Sequence, residues 1–524
     1  MKRFLSVLLA AALLLTAFGG LSGVFAASGR VCGCEHTPMI YVLGRQEIFD
    51  DPSSPNRRAL SGYDAMWMKD MMFKSYEHHQ AELNLGIYNG FCDEIVEQFA
   101  ERYREFVCDE NGELPNNRSG VDWSWSPQTL RDAHREDNPY AYSFSYDGRK
   151  DPFEIADELN AYVEAVRRVT GHRRVAILSR CMGTEMALAY FEKYGWKDID
   201  TFFSYSSAAL GATIFSELFA GLLNLDLECV GNYLTEQHAQ APDAPEDPDI
   251  RLVRTLLEAL QQLHALGLPS AVCNALTEKV RTNALPRMLK ASFATAPGYW
   301  SMVAPADYAR AKTFLFWNEG GKYAKLIEKL DAYDARVRRP MRTILNRMKA
   351  DGVKLCFLAK YGFQLIPLTE SRRTHSDDKI TMEAQSFGAT AATFGDTLST
   401  AHIAAQELLG KGRYLSPDRC IDASTAWFPD TTWFVKNIRH NDFPSKFHEF
   451  VMRLIRSDRQ LTVEDDPAYP QFLVFYRENG AEHWDPMTPQ DRQTQFARPD
   501  FFRALAEFRA ALRDWLVYRL FRKR

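Results

Sequence analysis

The segment 175–190 contains a cysteine in the setting of a catalytic nucleophile. An apolar run at 175–178 predicts a buried strand, which leads through the pentapeptide SRCMG into a helical pattern that continues to residue 194. Ser179 and Gly183 flank Cys181, and small residues are needed there because the backbone crowds at a sharp strand-to-helix turn. The N-terminus of the following helix favours an anion and lowers the pKa of a thiol. We therefore expect Cys181 to be a nucleophile; the alternative is a buried core cysteine.

The elements around this turn predict a parallel sheet covered by helices. Residues 151–170 have apolar side chains at helical spacing, and Gly171 ends the pattern. Short apolar runs predict buried strands at 38–43, 175–178, 199–205, 353–358 and 432–436. Helix, strand, tight turn and helix in this order are typical of a sheet with both faces covered. The predicted fold class is therefore α/β, with a mostly parallel, doubly wound sheet.

The remaining segments divide the chain into further parts. Residues 211–345 change to a mostly helical pattern, with an acidic, proline-rich break at 241–249. This stretch is either a helical lid inserted between strands of the core or an elaboration of that core. The core itself is expected from residues 35–210 and 346–455, and residues 456–524 are expected to form a C-terminal helical extension.

The turn around Cys181 resembles the nucleophile elbow of the α/β-hydrolase superfamily, to which many lipases and esterases belong. The usual form of that elbow is Gly-x-Ser-x-Gly; here Cys181 replaces the serine and Ser179 the first glycine, while Gly183 is retained. Cysteine also occurs at this place in dienelactone hydrolases. The resemblance spans residues 38–450, except that residues 211–345 are unmatched. It implies a doubly wound sheet with a large helical lid or cap at 211–345.

The resemblance also implies how a negative oxygen would be held. Leu-Gly-Arg at 43–45 follows the first predicted strand and is similar to the His-Gly-x oxyanion loop of lipases. By this match the backbone amides of Arg45 and Met182 bind the oxyanion. The implied activity is hydrolysis of carboxylic esters, such as lipid or other acyl esters, through an acyl thioester on Cys181.

Two further residues, an acid and a histidine, complete the implied triad. Ser-Asp-Asp-Lys-Ile at 376–380 resembles the turn that carries the acid in many bacterial lipases, which makes Asp377 the first candidate. Gly-Asp-Thr-Leu at 395–398 is similar to the same kind of turn, and Asp396 is the alternative acid. His440 lies just past the last predicted strand, where the family keeps its histidine. The chain order is then nucleophile, acid, base, although Asp377 can also be a loop carboxylate and His440 a surface histidine.

The composition excludes some functions and leaves others open. The 524 residues include 63 basic and 68 acidic side chains, and this balance argues against a protein that mainly binds nucleic acid. The expected partner is a small-molecule or lipid ester, and the chemistry requires no cofactor or metal. An acyltransferase on the same fold and a non-catalytic binding protein on an α/β-hydrolase scaffold are the alternatives. The oligomeric state stays open.

The first residues predict export. Two basic residues precede an apolar stretch up to Phe18, and small residues around Ala26 offer a cleavage site, so we expect residues 1–26 to be a signal peptide. The alternative is an uncleaved anchor. We expect the mature chain to be secreted or extracytoplasmic. Its last helical pattern ends in Arg-Lys-Arg. This helix is expected either to pack on the protein or to make a peripheral membrane contact.

Overall fold

The computed structural model describes most of the chain. It covers residues 37–492, apart from 45–47, 55, 57, 61–64, 115–118, 122–123, 134–141 and 241–244, and it also covers residues 501–522. The predicted signal peptide at residues 1–26 lies outside the described residues, and so does Arg45.

Eight strands form the central sheet. They are β1 (Met39–Val42), β2 (Tyr142–Phe144), β3 (Val175–Arg180), β4 (Ile199–Tyr205), β5 (Lys354–Tyr361), β6 (Thr432–Lys436), β7 (Phe472–Glu478) and β8 (Ala481–Pro486). Their order across the sheet is β8-β7-β6-β5-β4-β3-β1-β2. Each neighbouring pair is parallel except β7 and β8, which are antiparallel. The predicted mostly parallel α/β fold is therefore confirmed.

The helices that the structure describes lie between and beside these strands. They are α1 (Ala65–Asn84), α2 (Asn89–Tyr103), α3 (Pro127–Ala133), α4 (Pro152–Thr170), α5 (Gly183–Tyr194), α6 (Thr213–Phe219), α7 (Leu227–Gln240), α8 (Pro248–Gln262), α9 (Gly267–Lys279), α10 (Leu285–Lys290), α11 (Pro297–Trp300), α12 (Tyr308–Phe316), α13 (Ala324–Tyr333), α14 (Met341–Ala350), α15 (Met382–Gln385), α16 (Thr400–Leu408), α17 (Ser445–Arg456) and α18 (Phe501–Arg522). Three two-stranded antiparallel ribbons add Ile48–Phe49 with Ala59–Leu60, Phe363–Gln364 with His375–Ser376, and Thr390–Ala391 with Ile421–Asp422.

The central strands are buried on both faces because successive side chains enter two different cores. In β3, Val175 and Ile177 belong to one apolar cluster, whereas Ala176 and Leu178 belong to a second cluster that includes residues of α17. A strand that alternates between two cores is apolar at most of its positions. This explains why the strands appear in the sequence as largely apolar runs.

Helix α4 shows how local signals place the covering layer. The Asp151 side chain caps its N-terminus by accepting a hydrogen bond of 2.8 Å from the amide of Phe153, and Pro152 occupies the first turn. Gly171, with a φ of 74°, ends the helix in the left-handed conformation. The buried face of α4 packs against α5, the helix that follows Cys181.

The described residues between 211 and 345 are mostly helical, and their second half packs as part of the core. Trp300 and Leu326 are at most 1% exposed and share one apolar cluster with Ile177 and Phe202 of the central sheet. Helices bound into that cluster cannot swing away without uncovering the sheet. The part of this segment from α10 onward is therefore built as an elaboration of the core.

The prediction of a helical extension at 456–524 is wrong for residues 472–486. Residues 472–486 form β7 and β8, a hairpin that widens the central sheet beside β6. Asn479 and Gly480 make the turn with φ angles of 51° and 80°, the conformation that a two-residue hairpin loop favours. The Asn-Gly pair after the apolar run at 472–476 was the available signal for this hairpin.

The last described helix, α18, packs against α8. Within the described part of the chain, no helix combines the length and the apolar composition needed to cross a membrane. A peripheral membrane contact of α18 stays a prediction.

Replacing Trp484 in β8 by alanine tests whether the hairpin belongs to the core. Trp484 is 6% exposed and stacks on Phe447 of α17 with 5.9 Å between ring centroids. We expect Trp484→Ala to lower the free energy of unfolding by about 3–5 kcal/mol, measured by urea denaturation. The matched control is Trp317→Ala, because Trp317 is 72% exposed and its loss should cost less than about 0.5 kcal/mol. Equal effects of the two substitutions would contradict the packing described here.

Candidate active site

Cys181 lies where the order of the sheet strands reverses. The chain runs from β1 outward to β2 and then returns to β3 on the other side of β1, so the loops after β1 and β3 diverge. Ligands of open α/β sheets bind in the crevice at the carboxyl ends of two such strands. Cys181 follows β3 directly, and a Cβ atom added to Gly44, just after β1, would lie 3.2 Å from the Cβ of Cys181.

The backbone at Cys181 is strained. Its φ is 51°, a conformation that costs about 1–3 kcal/mol for a residue with a side chain. Its amide donates to the carbonyl of Tyr205 at 3.4 Å, and its carbonyl accepts from the amide of Thr184 at 3.0 Å. A nucleophile elbow has the same kind of strained strand-to-helix turn. The thiol is half-buried.

The residues on both sides of Cys181 are held tightly. Ser179 is fully buried, and its hydroxyl is 3.1 Å from that of Thr184, which in turn is 2.8 Å from the hydroxyl of Ser204. A Cβ on Gly183 would lie 2.3 Å from the carbonyl oxygen of Val42, so only glycine fits there. The backbone crowding expected from the sequence is therefore present at Gly183, whereas the side chain of Ser179 is accommodated by hydrogen bonds.

His440 and Asp377 form a buried pair beside Cys181. The Nδ1 atom of His440 is 2.8 Å from Oδ2 of Asp377, and the amide of His440 donates to the carbonyl of Asp377 at 2.8 Å. The other carboxylate oxygen of Asp377 accepts from the amides of Lys379 and Ile380 at 3.1 and 2.9 Å. Because Nδ1 is bound to the acid, the other ring nitrogen is left to make the hydrogen bond with Cys181.

The structure brings Asp377, and not Asp396, to the histidine. Asp377 is fully buried, whereas Asp396 is exposed. The amide of Asp396 donates to the carbonyl of Thr393 at 2.9 Å within its own surface turn. The geometry therefore favours Asp377 as the group that orients His440.

The site favours a thiolate next to an imidazolium. Burial alone would raise the pKa of the Cys181 thiol, but the charge and hydrogen bond of His440, followed by the charge of Arg180, lower it below its ordinary value. Burial opposes the charged form of His440, but Asp377 and then Cys181 raise its pKa to about 10. Burial would raise the pKa of Asp377, but His440 lowers it, so this carboxyl stays ionised.

Two backbone amides were predicted to hold an oxyanion. Met182 occupies the position just before α5, and the hydrogen bond of its backbone amide to the Cys181 sulfur helps to lower the pKa of that thiol. The other predicted donor, Arg45, lies outside the described residues.

Arg180 is a part of the site that the sequence analysis missed. Its charge helps to lower the pKa of Cys181, and its Nη2 donates to the side-chain oxygen of Asn441 at 3.3 Å. It therefore links the turn that carries the thiol to the turn that carries His440. A cation directly before the candidate nucleophile was the signal in the sequence.

This arrangement can perform covalent acyl chemistry. A thiolate, an imidazolium that can return its proton, a carboxylate that orients the ring and a helix N-terminus are the parts needed. Among the described residues, no group of three His, Cys, Asp or Glu side chains is placed to hold a metal ion.

The lowered pKa of Cys181 predicts selective alkylation. Cys273 is also half-buried, but burial raises its pKa, so it is an internal control. As the pH falls from 9 to 7, the iodoacetamide rate at Cys273 should drop about tenfold per unit, while the rate at Cys181 should fall less steeply. Peptide mapping by mass spectrometry measures both rates. A parallel decline at the two cysteines would contradict a thiolate–imidazolium pair.

Gly183→Ala tests the close contact behind the elbow. The added methyl group would overlap the carbonyls of Val42 and Leu43, and we expect a loss of about 1–3 kcal/mol in the free energy of unfolding, together with slower alkylation of Cys181. Gly267→Ala is the control, because nothing lies within 4 Å of its added Cβ. Normal stability and alkylation in Gly183→Ala would show that the elbow has more space than described.

Comparison with known proteins does not assign this chain to a family. No protein-family profile matches its sequence, and no curated protein was found to match it. The mostly parallel sheet flanked by helices is shown by the structure itself. The function therefore has to be argued from the chemistry of the site.

Proposed function

We propose that the protein is a hydrolase of carboxylic esters with an α/β-hydrolase fold, in which Cys181, His440 and Asp377 form a catalytic triad. The observation that carries this proposal is the strained cysteine hydrogen-bonded to a histidine whose Nδ1 is 2.8 Å from a buried aspartate. The three residues follow the chain order nucleophile, acid, base at the carboxyl edge of the sheet. The substrates are small-molecule or lipid esters.

The first half of the reaction forms an acyl thioester. The Cys181 thiolate attacks the ester carbonyl carbon, and the resulting oxyanion is stabilised by the Met182 amide at the N-terminus of α5. The carbon–oxygen bond to the alcohol then breaks. The departing oxygen takes the proton from the His440 imidazolium, and the alcohol leaves.

The second half returns the enzyme to its starting state. Neutral His440 takes a proton from a water molecule, whose oxygen attacks the thioester carbonyl. The carbon–sulfur bond breaks, which releases the carboxylic acid and restores the thiolate beside the imidazolium. Asp377 keeps the ring in one orientation and stabilises its positive charge in both halves.

The proposal includes export of the chain. The signal-like residues 1–26 support it, with cleavage near Ala26. The proposed substrates are then esters outside the cytosol.

The decisive comparison uses the mature chain and a panel of chromogenic esters with short to long acyl groups. Cys181→Ala should abolish turnover, and Asp377→Asn should lower kcat/KM about 10²–10⁴-fold because the histidine loses its orienting anion. Asp396→Asn is the matched control and should leave kcat/KM unchanged, because that carboxylate is exposed.

Two results would overturn this assignment. Turnover that survives in Cys181→Ala would exclude Cys181 as the nucleophile. A wild-type protein that alkylates normally at Cys181 but cleaves no ester of the panel would favour a binding protein on this scaffold.

A further inference from the structure

Strand β5 carries a lysine inside the protein. Lys360 is fully buried and lies between Ala359 and Tyr361, which are also fully buried. Removing an ammonium group from water is costly unless each of its protons finds an acceptor. The partners of this side chain therefore indicate what it is for.

The Lys360 ammonium bonds to one turn of the chain. Its Nζ donates to the backbone carbonyls of Arg439, His440 and Asp442 at 3.2, 3.2 and 2.8 Å. A lysine ammonium has three protons, and this turn supplies three acceptors. The turn is the one that presents the His440 ring to Cys181.

The backbone of Lys360 is tied to the turn that carries the acid. Its amide donates to Oε1 of Gln385 at 2.8 Å, and Nε2 of Gln385 donates to the carbonyls of Lys360 and Ile380 at 3.0 and 2.8 Å. The amide of Ile380 donates to Asp377 Oδ1 at 2.9 Å. One residue therefore connects the turns that carry His440 and Asp377.

We propose that Lys360 is a positioning residue: its ammonium holds the turn that carries His440 in register with Cys181 and Asp377, and loss of its positive charge uncouples the histidine from the thiol. This inference goes beyond the triad and rests on the proposed function only for its effect on turnover. Its effect on the thiolate can be measured without a substrate.

The charge on Lys360 responds to pH within an accessible range. Burial lowers the pKa of Lys360 to about 8, although Asp377 opposes this shift. The charged groups that face it are Asp377 and Asp378 on the acid turn, Arg180 at the end of β3 and Asp442 on the histidine turn, and its ammonium lies over the rings of Tyr205 and Phe447. Above pH 8 the neutral amine has two protons for three carbonyls, so at least one acceptor loses its donor.

A second lysine on the same strand provides a matched control. Lys354 is 8% exposed, and its Nζ donates to the carbonyls of Ile455 and Ser457 at 3.1 and 2.5 Å. It also pairs with Asp200 at 2.9 Å. It has the same chemistry as Lys360, but it lies at the start of β5, at the opposite end of the strand from His440.

The first test compares Lys360→Met and Lys354→Met by the iodoacetamide rate at Cys181 at pH 7. We expect at least a tenfold slower reaction in Lys360→Met, because a displaced His440 no longer lowers the thiol pKa, and a wild-type rate in Lys354→Met. Circular dichroism checks folding. If Lys360→Met does not fold, Lys360→Gln, which retains two donors, should show a loss in the same direction. A folded variant at position 360 with the wild-type rate would overturn the proposal.

The second test follows kcat/KM of the wild-type protein against pH on its best ester. We expect kcat/KM to decline reversibly above about pH 8. The decline should be in kcat and not in KM, because Lys360 does not touch the substrate. Lys354→Met should show the same decline. Turnover that stays constant to pH 10 would overturn the role of the charge. If the alkylation result is as expected but no ester is cleaved, the positioning role stands and the proposed ester hydrolysis fails.

Discussion

The buried hydrogen bond between His440 Nδ1 and Asp377 Oδ2 is the interaction on which the rest of the site depends. It fixes which ring nitrogen faces Cys181, and it keeps a positive imidazolium stable inside the protein. The two residues stand on turns that follow β5 and β6, which are neighbours in the sheet. The contact between His440 and Asp377 therefore depends on the strand order, because only adjacent parallel strands bring these two turns together at one edge of the sheet.

Backbone strain is also present at that edge of the sheet. Cys181, Ser206 and Asn437 follow β3, β4 and β6, and each has a positive φ. Such conformations persist only where the surrounding structure determines them. Here the two apolar cores that cover the sheet hold the strands, while hydrogen bonds and close backbone contacts hold the turns. The supports of the site are therefore buried on both faces of the sheet.

The sequence predicted the parts of this structure that depend on local patterns. Apolar runs located β1, β3, β4, β5 and β6 but not β2 or the hairpin strands, and the spacing around Cys181 located the strand-to-helix turn. Choosing between Asp377 and Asp396 needed tertiary structure, because both carboxylates lie in polar turns and only the packing decides which one meets His440. The hairpin at 472–486 could have been predicted from its Asn-Gly turn. The sequence contained no signal for the role of Lys360, because a buried lysine cannot be distinguished from an exposed one by sequence.

Trapping the acyl group tests directly whether Cys181 is the nucleophile. The wild-type protein would be mixed with an ester that it cleaves, quenched in acid within its turnover time and mapped by mass spectrometry. We expect an acyl thioester on Cys181 and none on Cys273, which is also half-buried but has a pKa that is raised by burial. Turnover with the acyl group on another residue, or with no acyl group on Cys181 at any quench time, would contradict this expectation.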